Sequence, residues 1–212
     1  MAEEVQYRSA TRDDLPGIAE VFQAAFPESV QHYVGHPIPP DVFADIFAIC
    51  LDAEPEALFT ATVGARTAGY IFAPMHLTRL FRTALWRGHL LRLFWGWASG
   101  RYRLGWQPVR IAMRNMLSVY RDAKAPELFS DARIFSVAVH PDFQGRGVGG
   151  GLLRVGLAYL EAQGARSVRL EVRPHNAAAV HLYEKFGFST RGMTHDTQGE
   201  WLIMVREPGA QG

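Results

Sequence analysis

The chain has one cysteine, Cys50. That excludes an internal disulfide and leaves too few thiolates for a zinc site, so no metal is expected. Cys50 falls on an apolar helical stretch and reads as a small core residue, and a reducing cytoplasm is the expected compartment. Net charge is also nearly absent, with 22 Lys and Arg against 21 Asp and Glu, so no overall basic surplus points to nucleic acid. The apolar run from Leu90 to Trp97 is much too short to span a bilayer, and the acidic, polar N-terminus carries no secretory pattern. What remains is ordinary globular composition, 48% apolar and 20% charged, in 212 residues that suit one domain over 1–212.

The most informative stretch runs from Ala132 to Leu153. Up to His140 it is rich in β-branched and aromatic residues and reads as a buried strand, which Pro141 stops. Gln144 to Gly151 then holds five glycines, and an apolar helical pattern starts at Leu152. Strand, glycine-rich turn and helix start together aim backbone N–H groups and a positive helix end at a phosphate. The bland alternative is a tight strand-to-helix connection. The Walker loop fails for want of Lys-Ser/Thr after its last glycine. The dinucleotide fingerprint is formally met by Gly145, Gly147 and Gly150, with Glu171 near the acidic position that it requires.

The block from Ser167 to Phe188 decides against that fingerprint. Ser-Val-Arg-Leu-Glu-Val-Arg alternates as a strand, Pro174-His175-Asn176 turns, and Asn176 is a good N-cap for a helix over Ala177 to Phe186. Gly187 ends that helix and Phe188 packs back on it. Two patterns, Gln144-x-x-Gly147-x-Gly149 and Leu170-Glu171-Val172-Arg173-x-x-Asn176-x-x-Ala179-x-x-Leu182-Tyr183-x-x-x-Gly187-Phe188, resemble the GNAT acetyltransferases. Within that superfamily the second block most resembles the ribosomal-protein alanine N-acetyltransferases. The likeness is strong over 132–188, holds in outline over 5–74, and fails between about His76 and Asp131.

Taken in order, Val5 to Ala10 reads as a strand, and Thr11 caps a helix from Asp13 to Phe26 that Pro27 ends. Pro37 to Pro40 is an extended loop before a helix near Asp41 to Asp52, with Val42, Ile46, Ile49 and Cys50 inward. Ala57 to Val63 and Ala68 to Ala73 form a hairpin about Gly64 to Thr67. A helix from Leu152 to Ala162 ends at Gly164, and Met193 to Val205 supplies two last strands about Thr197-Gln198-Gly199.

The 76–131 insert is unusual. Leu77, Leu80, Phe81, Ala84, Leu85, Gly88, Leu91 and Trp95 recur at helical spacing, with Arg79, Arg82 and His89 off that face. A second amphipathic helix is expected over 108–123. The insert holds ten Arg and Lys against three acidic residues, and four of the five tryptophans. A basic amphipathic helix rich in Trp, Phe and Leu suits a membrane interface. Packing on its own domain, covering the acceptor cleft, or a homodimer contact is the favoured reading. The arginines are spread around helices rather than gathered in a stripe, so no nucleic-acid role is expected.

The resemblance implies an α/β (α+β) GNAT fold: a mixed, mostly antiparallel central sheet splayed between strands 4 and 5, helices on both faces, and the insert between strands 3 and 4. It implies a cytoplasmic acyltransferase that moves an acetyl group from acetyl-coenzyme A to a primary amine by direct attack in a ternary complex. Backbone N–H groups of Gly145, Gly147, Val148, Gly149 and Gly150 would hold the pyrophosphate, with side-chain donors from Gln144 and Arg146. The Val137-Ala138-Val139 backbone would pair with the pantetheine arm, and a backbone N–H there, that of Val139, would stabilise the oxyanion. Glu171 would be the base through water, Tyr183 the acid for the leaving thiolate, and Asn176 a cofactor contact. His32, Tyr33 and His36 would lie near the acceptor.

The blander readings are a solvent-facing Glu171, a core-packed Tyr183, an Asn176 that only caps, and loop histidines that are merely solvated. His181 reads as surface, and His140 has no catalytic role. The acceptor stays open among a protein N-terminus, a lysine and a small amine. The alternative function is a non-catalytic acyl-coenzyme A sensor whose insert docks a partner or membrane.

Overall fold

The computed structural model describes residues 4–34, 39–102, 105, 132–196 and 199–207. His36, the expected helix over 108–123 and the turn at 197–198 lie outside these residues. So do the side chains of His32 and Tyr33.

Two four-stranded sheets organise the described residues. The first has the order β1 (Val5–Ser9), β2 (Leu58–Val63), β3 (Arg66–Phe72), β5 (Ser136–Val139), all antiparallel. The second runs β4 (Ala132–Arg133), β6 (Val168–Val172), β8 (Gly199–Arg206), β7 (Ser189–Asp196). In it β4 lies parallel to β6 and the other pairs are antiparallel.

The expected single strand over 132–140 is therefore two pieces that serve different sheets. Ile134 N–H still donates to the Arg169 carbonyl at 2.9 Å, whereas Phe135 N–H donates to Phe72 at 2.9 Å. Between those two peptide groups the chain crosses from one sheet to the other. This is the expected splay, with β5 and β6 diverging from a common root.

Helices cover both faces. On one side α6 (Val148–Ala162) buries Leu152, Leu153 and Leu160 completely against Ile71, Val168, Leu170 and Val172. Each such side chain is worth about 1.5–3 kcal/mol of transfer free energy. On the other side α1 (Leu15–Ala25) and α3 (Pro40–Ala53) pack Ile18, Ala19, Phe43 and Phe47 against Leu58, Tyr70 and Phe72. Cys50 is buried here, which pushes its thiol up to about 12. Three further described helices are α4 (Leu77–Trp86), α5 (His89–Ala98) and α7 (Ala177–Lys185).

Pro27 ends α1 as expected and also starts a further helix, α2 (Pro27–Val34), because proline at the first helical position forgoes an N–H that has no partner there. Three local expectations need correcting. Ile46 is exposed, and Phe43 and Phe47 take the inward face of α3. The helix after the glycines starts at Val148, not Leu152. Finally, Gly88 (φ 75°) breaks the insert into α4 and α5 and resets the helical phase. Beyond it His89 and Gly96 face in while Leu91 and Trp95 face out, and on α4 Ala84 is buried whereas Leu85, one position on, is exposed.

Candidate functional site

A single 3₁₀ turn, Pro141–Phe143, follows β5, and Phe143 buries its ring beneath the glycine turn. His140 Nδ1 accepts from the Asp142 N–H at 3.3 Å, which ties the histidine into the turn. Arg66 pairs with Asp142 at 2.7 Å and holds that carboxyl below its usual range. The guanidinium groups of Arg66 and Arg146 lie 4.9 Å and 5.5 Å from the Phe143 ring centroid. Arg146 is exposed at the lip of the turn.

Gly145 and Gly147 have φ of 74° and 79°, left-handed values that side chains rarely adopt, and a Cβ on either would meet nothing within 4 Å. The space beside the turn is open. Gly147 caps α6, and the first intrahelical bond of that end runs from Gly151 N–H to the Gly147 carbonyl at 3.1 Å. The N–H groups of Val148, Gly149 and Gly150 precede it and so have no carbonyl one helical turn back. Gly149 and Gly150 serve packing as well. A Cβ on Gly149 would lie 3.4 Å from Leu182 and 3.6 Å from Val139, and one on Gly150 would lie 3.8 Å from Phe186. Glycine at the helix start lets α6 come close to α7 and to β5, which explains a helix that begins on poor helix formers.

The end of β5 is oriented by its register. His140 N–H donates to Ala68 at 2.9 Å, and Val139 pairs with Gly69. By strand alternation Ala138 turns its peptide groups to β3, and Val137 and Val139 turn theirs to the splay. The tight fit of Gly69 agrees with this, since a Cβ there would lie 2.7 Å from the Ala138 carbonyl oxygen. Gln144 Nε2 donates to the Val139 carbonyl at 3.2 Å, so the turn is strapped to the strand end.

Across the splay, Val168, Leu170 and Val172 of β6 point into the core that also contains Tyr183, and Arg169 and Glu171 point the other way. Glu171 is not a bare carboxylate facing solvent. Arg133 donates to Oε2 at 2.6 Å and Arg169 to Oε1 at 2.5 Å, and Glu171 retains 20% exposure. Just past the end of β6, Arg173 stacks 3.8 Å from the Trp201 ring centroid.

Tyr183 is buried, with its ring 6.0 Å from that of Phe188, and burial alone pushes its hydroxyl up to about 12. Asn176 caps α7, its side-chain oxygen accepting the Ala179 N–H at 3.1 Å. His181 is on the surface. Among the described residues no group of three or more His, Cys, Asp and Glu is placed to hold a metal.

The structure thus brings the glycine turn, the end of β5 and α7 together, and puts Glu171 and Tyr183 on opposite sides of β6. Sequence reasoning missed Arg133 and Arg169 as partners of Glu171. Arg169 stands two positions before Glu171 on an alternating strand and was legible as a same-face neighbour. Arg133 becomes a partner only through the parallel pairing of β4 with β6.

Comparison with known proteins agrees with this fold. Residues 110–188 match the acetyltransferase (GNAT) family. Over 62 residues the chain is 47% identical to the [ribosomal protein bS18]-alanine N-acetyltransferase of Salmonella typhimurium, a stretch that makes up 29% of this chain and 42% of that protein. The matched segment therefore spans less than half the length of that relative. In structure, the chain resembles the ribosomal-protein-S18-alanine N-acetyltransferase of Escherichia coli, with a TM-score of 0.55, 20% identity, and coverage of 96% of this chain and 94% of that one. It also resembles the PaiA N-acetyltransferase of Thermoplasma acidophilum in complex with coenzyme A, with a TM-score of 0.55, 13% identity, and coverage of 96% and 99%.

Proposed function

Since the chain belongs to the GNAT superfamily, we propose that it is an N-acetyltransferase that uses acetyl-coenzyme A and a primary amine in a ternary complex. The observation that carries this reading is the turn over 144–150: left-handed glycines with open space beside them, continuing into helix N–H groups, next to a strand end whose Val137 and Val139 peptides face a gap. A phosphate chain fits such a cradle because a Cβ at Gly145 or Gly147 would project into it.

Acetyl-coenzyme A, when bound, supplies the acetyl thioester. The N–H groups of Gly145, Gly147, Val148, Gly149 and Gly150 hold its diphosphate, and Arg146 adds charge from the lip. Gln144 keeps one amide hydrogen on Val139 and offers the other. Val137 and Val139 present N–H and C=O to the pantetheine arm, and Ala138 is the rung between them that is committed to β3. The Val139 N–H stabilises charge on the carbonyl oxygen of the acetyl group during attack. Asn176, whose oxygen is committed to the cap, offers its amide nitrogen near the same point.

The attacking amine must be neutral. Glu171 takes its proton through a water held on a carboxylate lone pair that the two arginines leave free. Tyr183 gives its proton to the departing sulfur. Its hydroxyl, pushed up to about 12, remains protonated at neutral pH. The acceptor class is a primary amine: a protein N-terminus, as for the relative's alanine, or a lysine or small amine.

A second reading draws on one observation. Both oxygens of Glu171 already accept from guanidinium groups, an arrangement that also suits a non-catalytic acyl-coenzyme A sensor. Calorimetry with acetyl-coenzyme A and thiol release with a panel of amines separate the two. Turnover that is lost in Tyr183→Phe supports the enzyme, and tight binding without turnover supports the sensor. Failure to bind acetyl-coenzyme A overturns both.

A further inference from the structure

Among the described residues, the outer face of the α4–α5 hairpin carries large apolar side chains that are exposed. Leu85 and Trp86 end α4, and Leu90, Leu91, Phe94 and Trp95 form a stripe on α5, with exposures between 40% and 82%. The α5 positions recur at i, i+1, i+4 and i+5, which makes one continuous ridge along that helix. A ridge of six large apolar groups, two of them tryptophans, is more than ordinary scatter on a protein surface.

The inner faces of these helices are fastened to α3. Arg92 pairs with Asp45 at 2.8 Å, Arg101 with Asp41 at 2.9 Å, and His89 Nε2 lies 3.1 Å from Asp52. Tyr102 donates to Asp45, and burial and this carboxylate push its hydroxyl up to about 12. The hairpin is thereby held on the domain by its inner side, and the ridge is directed away from it.

Charge identifies the occupant. From Ala57 to Arg121 the sequence has no Asp or Glu. Arg79 and Arg82 are exposed on α4, and Arg82 stands one helical turn before Trp86 of the ridge. A second copy of the chain, packed ridge to ridge, would bring the same arginines together. An anionic lipid surface instead takes tryptophan and leucine into its interfacial layer and pairs the arginines with its phosphates. No described helix is long and apolar enough to cross a membrane, so contact is by lying on the surface. We infer that the α4–α5 hairpin docks the protein peripherally on an anionic bilayer, through Leu85, Trp86, Leu90, Leu91, Phe94 and Trp95 with Arg79 and Arg82 at the rim.

The test is co-sedimentation of the full chain with phosphatidylcholine vesicles and with vesicles of mixed phosphatidylglycerol and phosphatidylcholine, with tryptophan emission read in parallel. The expected result is binding to the anionic vesicles with a blue shift, weakened by salt. Arg79→Gln/Arg82→Gln should lower that affinity about tenfold or more. Leu91→Ser/Trp95→Ser should abolish it while leaving the thermal unfolding curve in place, since both side chains are exposed. No binding to either vesicle overturns the inference, and so does equal binding to both. Sedimentation of a dimer that Leu91→Ser/Trp95→Ser dissolves, without vesicle binding, assigns the ridge to a second copy and also overturns it.

Discussion

Arg133 and Glu171 meet at 2.6 Å beside the point where the chain leaves β6 for β3. Arg169 closes on the other carboxylate oxygen, and its side chain is 8% exposed. Removing the carboxylate would bury positive charge without its counter-ion. Glu171→Ala is expected to destabilise the fold by about 3–5 kcal/mol, and Glu171→Gln by less, because the amide oxygen still accepts. In the proposed reaction Glu171→Gln should lower kcat by about 10²–10⁴. Urea unfolding beside steady-state rates separates the structural effect from the chemical one.

Gly69 admits β5 to the first sheet. A Cβ there would lie 2.7 Å from the Ala138 carbonyl oxygen, a backbone atom that cannot swing aside, and 2.9 Å from Leu152. Gly69→Ala is expected to cost about 1–3 kcal/mol and to weaken coenzyme A binding through displacement of Val139. A variant with unchanged stability and unchanged affinity by calorimetry would refute this account of the strand end.

Gly147→Ala tests the turn itself. The position has φ 79° and no neighbour within 4 Å of a Cβ, so the cost to stability is only about 1 kcal/mol of backbone strain. The added methyl group projects into the space proposed for the diphosphate. Affinity for coenzyme A should fall about tenfold or more, equivalent to about 1.4 kcal/mol, while dephosphorylated pantetheine should be affected much less.

Tyr183 makes a prediction at alkaline pH. Burial raises its folded hydroxyl to about 12 from the usual 10, so the folded state retains a proton that the unfolded chain releases. The associated stability is complete below pH 10 and is lost as pH rises from 10 to 12. In Tyr183→Phe that alkaline loss should shrink by on the order of 1 kcal/mol, read from urea midpoints at neutral pH and at pH 11. An identical alkaline slope in both proteins would show that the phenol is not buried as described.

Much of this arrangement could be read from the chain before any coordinates. Alternation of Val168, Leu170 and Val172 against Arg169 and Glu171 gave the two faces of β6, and the glycines from Gly145 to Gly151 gave the turn. Other features were beyond local pattern. Pro27 has the same appearance whether it ends one helix or begins the next, and only tertiary packing made it the start of α2. Gly88 reset the phase of the insert, so a periodicity carried across it put Leu91 and Trp95 on the same face as the buried Ala84. Three successive glycines disguised the true start of α6, because their value lies in close approach to α7 and β1 rather than in helix propensity. The Arg133–Glu171 pair spans 38 positions and depends on a two-residue parallel pairing that no short-range signal announces.

One covalent run, Ala132 to Val139, feeds both sheets and changes allegiance between Ile134 and Phe135. Neither sheet can slide lengthwise without dragging the other, because a peptide unit of fixed length joins them. Prying the wedge wider is therefore a matter of rotating dihedral angles at those two residues. Its aperture is governed at a pivot of two amino acids, remote from the glycines at the rim.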